Sequence, residues 1–274
     1  MSNKAFKFVS YLWEEDKAKA LAGDEVALLV YRSNLLGADL RLTNYGGGNT
    51  SCKVASIDPL TKKSVDVMWV KGSGGDLGTM KKEGLAALYL DRLHDLQNIY
   101  KGLAYEDEIV ALYNHCIYDF DSKAPSIDTA LHGLLPFKHI DHLHPDAAIA
   151  IAAAKDGEKI TKELFKGSIG WVPWQRPGFD LGLQLKKCLE DNPGIRGIML
   201  GSHGLFTWGN TAYESYMNTL EVIEICAQYL EDSYVKRGPA FKGQKIQSLS
   251  KEARTLKQQQ LHPYLEDCAH QKLK

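Results

Sequence analysis

His142-Leu143-His144 is the segment with the most direct chemical meaning. On a strand, residues two apart point to the same side, so both imidazoles can reach one metal ion. A third imidazole, His203, follows an apolar run in Gly201-Ser202-His203-Gly204. A catalytic zinc site uses three protein ligands and keeps one open position. The same spacing also suits two unrelated histidines. His115, His132 and His139 compete as further candidates, and composition does not rank them.

Two glycine-rich segments carry a second kind of chemistry. In Gly46-Gly47-Gly48-Asn49-Thr50-Ser51 the glycines let backbone approach an anion, and the next three residues offer amide and hydroxyl donors. In Lys71-Gly72-Ser73-Gly74-Gly75-Asp76, backbone N–H groups, the Ser73 hydroxyl and the Lys71 charge can hold a phosphate. This is not a P-loop, which ends in Gly-Lys-Ser/Thr, and it lacks the third glycine of a dinucleotide fingerprint. A ligand-free turn is the simpler reading of either segment alone. Asp128, in Pro125-Ser126-Ile127-Asp128-Thr129, is a carboxylate that can act as general acid or base near a metal. Alternatively, it complements the dipole of a helix beginning there.

Helix and strand signals alternate along the chain, which predicts an α/β or α+β protein. Helical spacing runs over 26–36 and stops at Gly37, over 83–96, and over 126–135 before Pro136. Residues 64–71 alternate as a strand with Val65, Val67 and Trp69 on one face. Residues 139–144 read as a strand ending at Pro145, and 146–154 and 178–191 as helices. Residues 196–202 and 205–208 read as two strands. Thr211 and Glu214 form a capping box that opens a long helix to about Lys236, ended by Gly238-Pro239. From 240 onward the chain is polar, with one helical piece near 250–260. The expected organisation is one domain over 1–238 and a polar tail or connector over 239–274.

The 274 residues carry 33 Lys+Arg against 34 Asp+Glu, a formal net charge of −1. Such a balance argues against a nucleic-acid partner held by bulk charge and leaves room only for a local anion pocket. The longest apolar stretch, 147–154, is far below the ~20 residues a membrane span needs, and the first 13 residues lack a signal-peptide core. The five cysteines form no C-x-x-C pair. Reduced thiols in a cytoplasmic protein are expected.

Taken in order, Gly47–Ser51, Lys71–Gly74, Pro125–Asp128, His142–Pro145 and Ser202–Leu205 resemble the class II aldolase/adducin family. The resemblance runs from about Asp39 to Tyr234. The surroundings of Leu131–Pro136, His139–His142 and Arg176–Phe179 resemble the aldolase portion of bifunctional rhamnulose-1-phosphate aldolase/alcohol dehydrogenase proteins. The implied fold is a single three-layer α/β/α domain with a largely antiparallel sheet. The implied assembly is a homotetramer with sites near subunit interfaces.

The resemblance assigns roles residue by residue. His142, His144 and His203 match zinc ligands, with another divalent metal as the alternative. Asp128 matches the acid/base carboxylate, usually Glu in the family's sugar aldolases. Gly48, Asn49, Ser73, Gly74 and Ser126 match phosphate-holding positions. Ile127 replaces a second serine, and Lys71 is expected to supply compensating charge. The implied reaction is retro-aldol cleavage of a ketose 1-phosphate, rhamnulose 1-phosphate above all, to dihydroxyacetone phosphate and an aldehyde, without nicotinamide. A sugar-phosphate 4-epimerase, a thioribulose-phosphate dehydratase and a non-catalytic adducin-like module are the alternatives on the same scaffold. Trp171 and Trp174 are candidates to close the pocket, with packing or an interface as their favoured role.

Overall fold

The computed structural model describes residues 6–44, 47–239, 249–257 and 259–260. Seven strands form one sheet: β1 (Asn49–Ile57), β2 (Ser64–Lys71), β3 (Leu85–Tyr89), β4 (His139–Leu143), β5 (Gly170–Val172), β6 (Gly197–Leu200) and β7 (Gly204–Gly209). Their order is β3-β2-β1-β4-β7-β6-β5, so β4 is central. Every pairing is antiparallel except that of β5 with β6. The helices are α1 (Glu15–Ala20), α2 (Glu25–Ala38), α3 (Leu90–Asp95), α4 (Glu106–Ala111), α5 (Thr129–Gly133), α6 (Asp146–Ala152), α7 (Gly157–Phe165), α8 (Phe179–Asp191) and α9 (Ala212–Arg237).

Alternation along the strands divides the side chains between two helical layers. Cys52, Trp69 and Leu205 pack with Leu29 and Leu36 of α2 and Tyr216, Leu220 and Ile223 of α9. On the opposite face, Met68 and Val70 pack with Leu93, Ala130 and Phe179. Ile140, Ile198 and Phe206 pack there with Leu131 and Leu185. Helices therefore cover both faces of a largely antiparallel sheet, the expected α/β/α sandwich. Residues Met1–Glu231 form one compact unit and Asp232–Lys274 a second. In the latter, residues 251–257 are helical. Residues 240–248 and 261–274 of the expected tail lie outside the described residues, as does Cys268. Cys52, Cys116, Cys188 and Cys226 are free and buried. Among the described residues no helix is long and apolar enough to cross a membrane.

Three local expectations change. Residues 83–96 are not one helix: Leu85–Tyr89 form β3, all buried, and α3 begins only at Leu90. Pairing with β2 and burial on both faces override helical spacing in this apolar run. Gly37 lies inside α2 rather than past its end, and glycine stands there because Cα of Gly78 and the Leu77 backbone leave no room for a Cβ. The capping box of α9 forms with one change: Thr211 Oγ1 accepts from Glu214 N at 3.1 Å as expected, while the Glu214 carboxylate accepts from Asn210 N at 2.7 Å rather than from Thr211 N.

Candidate metal centre

The central strand β4 sends His142 to the face bearing α5 and α8, opposite Asn49 on β1 and Phe206 on β7. His142 is 1% exposed, and its ring stacks on Phe206 at 4.3 Å between centroids. The Leu205 carbonyl accepts from His142 Nδ1 at 3.1 Å. That bond fixes the tautomer and leaves the Nε2 lone pair free. His144 lies one residue past the end of β4, and its Nε2 sits 3.0 Å from Nε2 of His142. His203 arrives from the tight β6–β7 turn, where Ser202 holds φ 54° and donates its N–H to Ala152 O. Candidate ligand atoms of His142, His144 and His203 all lie within 4.8 Å of one another.

These residues fit a divalent metal. Two nitrogens around a tetrahedral zinc stand about 3.3 Å apart, close to the His142–His144 separation. Burial lowers the pKa of all three imidazoles, and the neighbouring histidines lower that of His142 further. The neutral form that offers a lone pair is therefore favoured. Gly204 is part of the same construction. A Cβ there would stand 2.7 Å from Leu143 O and 2.8 Å from His144 Cδ2. The other candidate histidines fall elsewhere: His132 is buried beneath Ser51, His139 faces α2, and His115 is exposed.

Asp128 immediately precedes α5 but makes no side-chain cap to it, so the dipole-capping alternative has no hydrogen bond behind it. Burial raises its pKa, while His203, Lys71 and the Ser126 hydroxyl oppose that rise. Its carboxyl therefore shares the electrostatic environment of a metal-site histidine and a lysine. Lys71 ends β2 and is 3% exposed. Burial lowers its pKa, Asp128 and Asp76 partly restoring it. Its ammonium has no hydrogen-bond or ion-pair partner among the described residues.

The two glycine-rich segments meet at the same end of the sheet. Asn49 Nδ2 donates to Lys71 O at 3.1 Å and ties them together. Gly48 holds φ 74°, and a Cβ there would lie 2.9 Å from His142 O, so glycine is required on both counts. Ser73 and Gly74 line a cavity of about 350 Å³ with Lys71, Gly75, Lys81 and Lys123. Ser126 is buried and accepts from Asp128 N at 3.3 Å, while Ile127 is 36% exposed. Gly46 lies outside the described residues. Trp171 packs against the core, whereas Trp174 is 65% exposed, with its backbone N close to Gly201.

Sequence reasoning missed the support behind His142. Asp141 points to the other face of β4 and accepts from Arg32 Nε at 2.9 Å, both side chains being fully buried. Arg32 also donates to His139 Nδ1 at 2.6 Å and to Ser51 O at 2.9 Å. The other Asp141 oxygen accepts from Ser215 and Thr219 of α9 at 2.6 and 3.2 Å. An arginine within the apolar face of α2 was the available signal. Lys53 was missed as well. It donates to Gly133 O and Leu135 O at the end of α5, and burial lowers its ammonium to about 7.

A layered fold with a three-histidine cluster at the ends of its central strands defines a class, and the family comparison agrees with it. The chain belongs to the class II aldolase and adducin N-terminal domain family, whose model matches residues 27–230. An uncharacterized oxidoreductase of Bacillus subtilis, YuxG, is 39% identical over 246 residues. That match covers 90% of this chain, which spans only 35% of the relative's length. The N-terminal class II aldolase domain of a conserved Thermoplasma acidophilum protein is 30% identical with a TM-score of 0.72, covering 81% of this chain and 99% of that one. A sugar-phosphate aldolase from Thermotoga maritima shares the fold at 14% identity and a TM-score of 0.56, covering 80% and 98%.

Proposed function

We propose that this chain is a zinc-dependent aldolase that cleaves a ketose 1-phosphate, rhamnulose 1-phosphate in the first instance, to dihydroxyacetone phosphate and an aldehyde. The observation that carries this reading is the cluster of His142, His144 and His203, with Asp128 in electrostatic contact with His203 and with a buried Lys71 whose ammonium has no hydrogen-bond or ion-pair partner among the described residues. Family membership and the fold shared with a sugar-phosphate aldolase support it.

When bound by His142, His144 and His203, the metal supplies Lewis acidity to the substrate carbonyl during C3–C4 cleavage. Asp128 shuttles the proton: it takes the one released from the C4 hydroxyl as the C3–C4 bond breaks and returns it to C3, which completes dihydroxyacetone phosphate. Its raised pKa suits proton exchange better than that of an exposed aspartate. Ser73, Ser126, Lys71 and the amides near Gly48, Asn49 and Gly74 hold the phosphate. Binding energy at that remote group becomes positioning at the reacting carbons. We extend the reading to a cytoplasmic homotetramer with an aldolase-like domain over 1–238 and a polar tail or connector over 239–274.

A coupled assay for dihydroxyacetone phosphate across a panel of ketose 1-phosphates tests the function. Release from rhamnulose 1-phosphate is expected, with no added nicotinamide cofactor. Conversion of sugar phosphates only to epimers or dehydrated products overturns it.

A further inference from the structure

Gly72 has no left-handed backbone that would demand glycine, yet a Cβ there would stand 2.7 Å from Lys123 Cβ and 2.9 Å from Ala124 O. The side chain excluded at Gly72 is replaced by the stem of Lys123. The segment carrying Lys123 is fixed on both sides: Lys123 N donates to Leu85 O at 2.9 Å, and Ala124 O accepts from Ser73 N at 3.1 Å. Lys123 therefore crosses the root of the Ser73–Gly75 turn, and it lines the same cavity of about 350 Å³.

The cavity's charges are Lys71, Lys81 and Lys123 against Asp76 and Glu83, an excess of one positive charge (three minus two). None of the three ammonium groups has a hydrogen-bond or ion-pair partner among the described residues. Lys71 is itself nearly fully buried, a costly state for an ammonium that Asp128 and Asp76 offset only in part.

We infer that Lys123 is a phosphate-recognising residue of this site, laid over Gly72 so that its ammonium and that of Lys71 flank a doubly charged phosphate. This inference rests on the proposed function for the identity of the substrate, but its chemistry is that of phosphate binding alone. Gly72 thus serves the pocket by admitting a lysine stem, rather than by presenting its own backbone to the anion.

The test titrates zinc-containing protein with inorganic phosphate and with dihydroxyacetone phosphate, using uncharged dihydroxyacetone as control. Lys123→Met is expected to weaken both phosphate ligands about five- to tenfold and to leave dihydroxyacetone unchanged, as for loss of one charge-assisted contact. Gly72→Ala, which displaces the lysine stem, is expected to weaken them similarly. The double variant is expected to bind no more weakly than the weaker single one. Zinc content stays at the parent level throughout. Phosphate binding by Lys123→Met within twofold of the parent overturns the inference, as does a parent protein that binds no phosphate. If Lys123 governs phosphate binding but no ketose phosphate is cleaved, the inference stands and the aldolase reading fails. If cleavage proceeds with an unchanged KM in Lys123→Met, the reverse holds.

Discussion

Nε2 of His142 and Nε2 of His144 lie 3.0 Å apart, although one residue is in β4 and the other has left it. The separation is maintained from outside the pair: Leu205 O holds the His142 ring, and the absence of a side chain at Gly204 leaves room for the His144 ring. Purified protein is expected to contain about one zinc per chain, as a three-histidine site requires. His142→Ala combined with His144→Ala should remove it, as measured by elemental analysis. Zinc retained by the double variant would place the metal elsewhere.

Gly204→Ala is expected to weaken zinc binding about 10- to 100-fold, the usual cost of disturbing the shell behind metal ligands. The added methyl meets the His144 ring and Leu143 O directly. Competition with a chromophoric chelator measures the affinity. An unchanged constant would show that the two rings have freedom to withdraw.

Asp128→Asn should lower turnover by about 10²- to 10⁴-fold, the range for losing a positioned acid or base. Zinc content should stay at the parent level, because Asp128 is outside the histidine cluster. Loss of zinc in this variant would make Asp128 a metal-site residue rather than a proton carrier.

Arg32→Met leaves the fully buried Asp141 carboxylate without its cation. The expected cost is about 3–5 kcal/mol, because the remaining charge is uncompensated. Urea unfolding reads it as a shift of the midpoint at constant slope. A midpoint equal to the parent's would mean that Asp141 is adequately held by Ser215 and Thr219.

The fully buried His132 sets a pH dependence. Burial, assisted by the charges of Lys53 and Arg32, lowers its folded pKa from 6.5 to about 3. Above pH 6.5 the ring is neutral in both states and its contribution to stability is complete. As pH falls from 6.5 toward 3, the unfolded chain binds a proton that the folded chain does not, so stability falls. The slope approaches about 1.4 kcal/mol per pH unit for this one group. His132→Gln should flatten the decline of Tm between pH 6.5 and 5. Parallel profiles for the two proteins would assign the acid sensitivity to other groups.

Legibility in the sequence followed the range of the interaction involved. The strand at 64–71 and the helix at 178–191 were readable, because their apolar residues repeat with the local period of the backbone. The pair His142 and His144 was readable for the same reason. The run 83–96 is ambiguous in the sequence because Leu85 and Leu88 suit a helix and a doubly buried strand equally, and only pairing with β2 decides. β1 was hidden by its polar start, Asn49-Thr50-Ser51, whose side chains are buried against partners far along the chain.

By itself, the sequence determined the family, the layered α/β class and the residue types available for metal and phosphate chemistry, since these reside in short motifs with fixed internal spacing. The motif resemblance already names His203 as the third imidazole, and the tertiary structure decided how it reaches the other two. His203 joins His142 because β7 pairs with β4 and the β6–β7 turn projects beside the ligand strand. Alternation along β4 sends His139 to the opposite face, where only the fold supplies Arg32 to hold it. Near-neutral total charge likewise said only that anion recognition had to be local. That Lys71 and Lys123 share one cavity depends on a 2.9 Å bond between Lys123 N and Leu85 O, a contact between segments that no local pattern encodes.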